Sequence, residues 1–187
     1  MLLISELSMI LPFAMLKLVR PKDMNDYSFM IYIWFATSFQ FFFTLVYLHL
    51  GISTILLHVY TPFEFGFFLY ILFTLYEDDH LFASLFSPVA IVAVFLIDFI
   101  SSYKEIDYSS VFIECFVLII VGVTVLIKAI KERRLRLDCK LFFLFGILFF
   151  AEINLFSFPS LNMESNITMN IFFTIGMFYL WLKNERK

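Results

Sequence analysis

Residues 111–140 read VFIECFVLIIVGVTVLIKAIKERRLRLDCK, and this stretch decides the fold. From Val111 to Ile127 the only charged residue is Glu114. At about 1.5 Å of rise per residue, a helix built on this run and its flanks crosses roughly 30 Å of hydrocarbon. Lys128, Lys131, Arg133, Arg134, Arg136 and Lys140 follow, with only Glu132 and Asp138 interspersed. An apolar run closed by a basic cluster is the pattern of a membrane-crossing helix that ends at the cytoplasmic face.

The same pattern extends outward in both directions. Apolar stretches can be read at 2–19, 28–49, 52–76, 80–101, 109–130, 140–158 and 167–183. The 187 residues are 62% hydrophobic and 16% charged, with a mean hydropathy of +0.93. A soluble domain carries roughly a quarter charged residues, and this chain in water would expose large apolar patches. Phe supplies 28 residues, many of them suited to face acyl chains. Gly and Pro number five each, too few for a chain rich in turns. Continuous apolar runs also differ from the short alternating segments of a membrane barrel. The expected fold is therefore all-α, a polytopic bundle of seven transmembrane helices forming one domain over 1–187.

Charge placement gives the orientation. With the N-terminus outside, seven crossings put the first, third and fifth connections and the C-terminus in the cytoplasm. Those segments hold Lys17, Arg20 and Lys22, then the cluster from Lys128 to Lys140, then Lys183, Arg186 and Lys187. Every Lys and Arg except Lys104 thus falls on one side, as the positive-inside rule requires. Six helices starting from the second stretch give the same orientation for the rest. The first stretch contains Glu6, Pro12 and Lys17, lacks a basic residue before its apolar core, and is followed by no small-x-small cleavage site, so it reads as a retained helix. Connections such as Leu50-Gly51 and Tyr76-Glu77-Asp78-Asp79 leave no room for a soluble domain between spans.

Acidic residues within spans are the functional lead. Glu6, Glu64, Asp98, Glu114 and Glu152 sit inside apolar stretches. A carboxylate in hydrocarbon costs several kcal/mol unless paired, protonated or wetted. Glu64 falls near the midplane, and the others fall toward the outer half, with Asn154 and Asn170. An outward-opening polar cavity would bring them together. The third stretch is the richest: His58, Tyr60, Thr61, Pro62 and Glu64 within one apolar helix. Tyr60 and Glu64 are four apart and share a face. Pro62 removes a backbone donor and leaves the His58 carbonyl without its helical partner. The ligand or ion pocket candidates are accordingly Glu64, His58, Tyr60, Thr61, Glu114, Glu152 and Asn154. The stripe Thr37, Gln40 and Thr44 on the second helix suits contact between helices.

Cys115 lies in a span and Cys139 in the basic segment, at different depths, so no disulfide is expected between them. No Cys/His cluster has zinc spacing. No metal and no cofactor is expected. Asn166-Ile167-Thr168 matches a glycosylation acceptor in form but sits at the mouth of a span.

Short connections, the aromatic and Glu segment from Tyr60 to Phe65, and an aromatic sixth helix ending near Pro159 give a layout that resembles small bacterial seven-helix integral membrane proteins of unknown function. That resemblance implies a multi-pass protein of the cell membrane, in bacteria the inner one. Two better-defined groups are excluded. Seven-helix zinc amidohydrolases of the ceramidase type need a late pair of His ligands, and no His follows His80. Retinal proteins need a Lys inside the last helix, whereas Lys183 lies at its end.

The leading expectation is a bundle that binds, senses or conducts a small ligand or ion at Glu64. The alternatives are a structural subunit of a larger membrane complex and an intramembrane lipid hydrolase using Glu64 and His58. Enzymatic work is the weaker reading, since no nucleophile or metal motif is present. Expected partners are membrane lipids, and proteins docking at the cytoplasmic face on the basic fifth and acidic third connections. Nothing points to nucleic acid.

Overall fold

The computed structural model describes residues 8–19, 24–50, 54–75, 80–101, 108–134, 137–156 and 162–185. Among them are seven α-helices and no strand. They are α1 (Ile10–Met15), α2 (Met24–Leu50), α3 (Thr54–Leu75), α4 (His80–Ser101), α5 (Tyr108–Lys131), α6 (Cys139–Phe156) and α7 (Asn162–Glu185).

Two ends depart from the apolar stretches. Of the first stretch, read as a helix over 2–19, the described part is residues 8–19, and it holds the short helix α1. A bond from Leu16 N–H to Phe13 O tightens its last turn, and Leu18 N–H bonds Met15 O in the turn beyond. Glu6 lies outside the described residues. Helix α7 begins at Asn162, ahead of the apolar stretch at 167. Hydropathy marks where a helix is apolar, not where it starts, and no Pro or Gly interrupts Asn162 to Ile167.

The α5–α6 connection shows how local chemistry ends one helix and starts the next. Arg134 N–H reaches back to Ala129 O, and Arg133 N–H to Ile130 O, the paired bonds of a Schellman motif. The motif puts Arg133 in the left-handed region, with φ of 53°. Asp138 then caps α6, its Oδ1 accepting from Leu141 N–H at 3.2 Å.

Two helices are, among the described residues, long and apolar enough to cross a membrane: α5 over Val111–Lys131, and α6. Shorter apolar stretches run over Val59–Leu75 in α3 and Phe82–Ile97 in α4. Large apolar side chains face outward in stripes. On α4 the stripe is Leu85, Val89, Val92 and Leu96, each more than half exposed. On α2 it is Tyr27, Ile31 and Trp34. Both follow the spacing of one helix face.

The helices form a ring. Going round it, α1 packs on α2, α2 on α3, α3 on α5, α5 on α6, α6 on α7, and α7 on α1. Helix α4 stands outside, mainly against α3. The α6–α7 contact is the most extensive and rests on a reciprocal fit. A Cβ on Gly146 of α6 would meet Phe173 Cε1 of α7 at 2.7 Å, and a Cβ on Gly176 of α7 would overlap the Phe143 ring of α6. Each helix thus offers a Phe and, three residues on, the glycine that receives the other's Phe. Such small-residue contacts let helices approach closely in an apolar medium. Helix α2, in contrast, has slight backbone packing and fills its side of the ring with long aromatic side chains.

Candidate functional site

Glu64 lies halfway along α3, and its side chain is half-buried. Its Oε1 accepts two hydrogen bonds. Tyr60 O–H, one turn earlier on the same helix, donates at 2.7 Å. Tyr32 O–H donates from α2 at 3.0 Å. Tyr32 is fully buried and Tyr60 nearly so. Helical geometry brings Tyr60 to Glu64, because residues four apart are neighbours on one face. Tyr32 arrives by tertiary packing, held between the rings of Phe68 at 5.0 Å and Phe173 at 5.9 Å. Tyr60 is itself backed by Phe39, stacked at a centroid distance of 4.4 Å. Aromatic walls therefore fix both phenols, and the phenols fix the carboxyl group.

No Lys or Arg pairs with Glu64 among the described residues. The described basic side chains sit near helix ends instead. Lys128, Lys131, Arg133 and Arg134 are exposed at the end of α5, and Lys140 is half-buried at the start of α6. Arg134 Nε reaches Glu132 Oε2 at 2.9 Å. Arg136 lies outside the described residues.

Other candidates are placed as follows. Glu114 is buried on α5 beside Cys115, and α5 packs on α3, the helix that carries Glu64. Asn154 is buried on α6, but Glu152 is exposed. The two do not line one pocket, because residues two apart point about 200° away from each other around a helix. Thr61 is half-buried on α3. The backbone of His58 belongs to α3, and its side chain lies outside the described residues, as do those of Gln40 and Thr44. Thr37 donates to Ile33 O of its own helix at 2.8 Å, so its proton is not given to a neighbouring helix. Asn170, buried on α7, donates to Ser8 Oγ at 2.8 Å and ties α7 to the segment before α1.

Comparison with protein-family models, with curated proteins and with solved structures finds no match to this chain.

A second polar place, not anticipated from sequence, lies nearer the start of α2. Asp26, Thr74, Cys139 and Lys140 line a cavity of about 10 Å³ with Phe29, Ile71, Leu75 and Phe143. It joins the start of α2, the end of α3 and the start of α6. Asp26 is only 7% exposed. The cavity has room for about one water molecule. Among the described residues no three His, Cys, Asp or Glu side chains converge for a metal.

Proposed function

We propose that this chain is a multi-pass membrane protein that binds a small cation at Glu64. The observation that carries the reading is the Tyr32–Glu64–Tyr60 arrangement: a carboxylate oxygen held by two phenols, halfway along a helix, with no Lys or Arg paired to it among the described residues. Two neutral donors orient a carboxylate and leave its charge uncancelled. A cation is the partner whose chemistry completes such a group, and intramembrane acids mark ion or proton pathways more often than they serve as inert packing.

Several features support the membrane setting. The outward stripes on α2 and α4 are apolar over several turns, which suits lipid and would be a liability in water. The six long helices, α2 to α7, are taken to cross the bilayer in alternation. In that arrangement the start of α2, the end of α3, the start of α6 and the end of α7 share the cytoplasmic face. The cavity at Asp26, Thr74 and Cys139, with Lys183 of α7 close enough to act on Cys139, agrees with this alternation. The exposed basic residues then lie where anionic lipid heads attract them, and where a cytoplasmic protein would dock.

The competing reading is that Glu64 is only a tie between α2 and α3. It is favoured by the slight backbone packing of α2, to which the Tyr32 bond adds a polar tie. Water access separates the two. With Cys115 and Cys139 replaced by Ala and a single cysteine at Thr61, a membrane-impermeant thiol reagent added from outside labels a site that reaches water. Fast labelling is the expected result. No labelling in folded protein leaves Glu64 sealed, and the tie is then its role.

A further inference from the structure

We propose that Asn154 and Asn170 complete the Glu64 site with their side-chain oxygens, and that the ion it takes is a monovalent alkali cation such as sodium. This rests on the reading of Glu64 as a cation-binding group, and it names the remaining ligands and the kind of ion.

Three helices each place one polar side chain over a shared aromatic layer. The ring of Phe68 on α3 meets Phe150 of α6 at 5.4 Å and Phe173 of α7 at 6.4 Å between centroids. Glu64 is four residues before Phe68, Asn154 four after Phe150, and Asn170 three before Phe173. Residues three or four apart are neighbours on one helix face. The helix directions put all three polar residues on the same side of the rings. Helices α6 and α7 are antiparallel, because Gly146 receives Phe173 while Gly176 receives Phe143. Helices α3 and α6 are antiparallel too. Phe68 meets Phe150, whereas Thr74 and Leu75, further along α3, line one cavity with Cys139 and Lys140 at the start of α6. Tyr32 joins the two levels, its ring against Phe68 and Phe173 and its hydroxyl on Glu64.

Asn154 and Asn170 are buried, at 6% and 1% exposure, while Glu64 is half-buried and leaves an ion a way in. Asn170 points to a ligand most directly. Its Nδ2 donates to Ser8 Oγ at 2.8 Å, and its Oδ1 is buried with no hydrogen-bond partner among the described residues. An amide that only tied helices together would give that oxygen to a donor, because an unpaired buried acceptor is destabilising. On Glu64 both phenols bond Oε1, so Oε2 is not taken up by them. A ligand set of oxygens, with no nitrogen or sulfur, suits a hard cation. One carboxylate and two neutral amides supply a single negative charge, which a monovalent ion cancels. A divalent ion would leave a net positive charge in an apolar surrounding.

The test is equilibrium binding of radioactive sodium to the purified full chain in detergent, by scintillation proximity, with lithium, potassium and calcium chlorides as competitors. The native protein binds sodium, and calcium competes poorly. Glu64→Gln abolishes the binding. Asn154→Ala and Asn170→Ala each weaken it by about tenfold or more, since each removes a ligand oxygen. Asn154→Asp keeps the size of the side chain and serves where an alanine variant does not fold. It adds a second carboxylate, so calcium becomes the better competitor, a change of preference that a purely structural amide would not give. Sodium binding that Glu64→Gln abolishes, but that the Asn variants leave unchanged in folded protein, keeps the Glu64 site and overturns the amide ligands. Native protein that binds calcium in place of sodium keeps Glu64 and overturns the monovalent class. Native protein that binds none of these ions overturns both readings.

Discussion

Tyr32→Phe removes one hydroxyl and leaves the ring. The packing of that ring on Phe68 and Phe173 is therefore kept, and no cavity opens. What is lost is the 3.0 Å bond that joins α2 to Glu64 of α3. A hydrogen bond to a charged group contributes about 1.5–3 kcal/mol in general. Bonds between helices in a bilayer average only about 0.6 kcal/mol and reach about 1.7, because the separated helices find other partners. Here the other partner is already in place: Tyr60 lies on the same helix as Glu64 and bonds the same oxygen at 2.7 Å whether or not α2 is docked. The cost of Tyr32→Phe should therefore fall within the bilayer range, at about 1 kcal/mol. The two phenols should not be independent. With both changed to Phe, Oε1 loses both of these donors, and the double variant should cost about 1 kcal/mol more than the sum of the singles. The assay is reversible unfolding in mixed micelles with a denaturing detergent, run on the four proteins of the cycle and again with Glu64→Gln. Additivity within about 0.3 kcal/mol would refute the shared oxygen, since contacting groups couple by more than that.

Two further outcomes test the frame around the site. Gly176→Ala drives a Cβ into the Phe143 ring and should cost about 1–3 kcal/mol by overpacking, with Phe143→Leu in the same chain recovering much of the loss in detergent thermal unfolding; strictly additive costs would mean the two do not touch. Arg133→Gly should stabilise the protein by about 1 kcal/mol in the same assay, because the left-handed backbone at φ 53° penalises any side chain with a Cβ, and an unchanged stability would mean the Schellman turn is absent in solution.

Much of the helical layout could be read from sequence, and most of the site could not. Apolar runs mark helices here because every turn of a lipid-facing or core-facing helix is apolar. The same fact hides which side of a helix faces in. On α3, Phe65 and Phe68 are buried while Phe63 is exposed, and nothing in their chemistry separates them. Lipid is as apolar as the core, so periodicity carries little signal about facing. Tyr60 was legible as a neighbour of Glu64 because four residues on a helix is a local relation. Tyr32 was not, because it lies on another helix and its arrival depends on how α2 docks. Glu152 and Asn154 shared a depth, and depth is not direction.

Scarce glycine is the signal that carried more than its reading. Taken as a count, it argues for helices. Taken by position, Gly66, Gly122, Gly146 and Gly176 each mark a place where a neighbouring side chain leaves no room for a Cβ. The pattern Phe-x-x-Gly occurs at Phe143–Gly146 on α6 and Phe173–Gly176 on α7, where those helices interlock, and at Phe63–Gly66 on α3, where the glycine receives Ile91 of α4. Position thus separates the rigid part of the ring from the loose one. The pair α6 and α7 is fixed backbone against side chain, while α2 carries no glycine and meets them through the rings of Phe29 and Tyr32. Motion at low cost belongs to the element held by rotatable groups, because interlocked contacts offer no second arrangement without overlap. Tyr32 and Asp26 both stand on that element. Only six residues separate them, so a displacement of α2 would move the donor at Glu64 and the acid beside the cavity together.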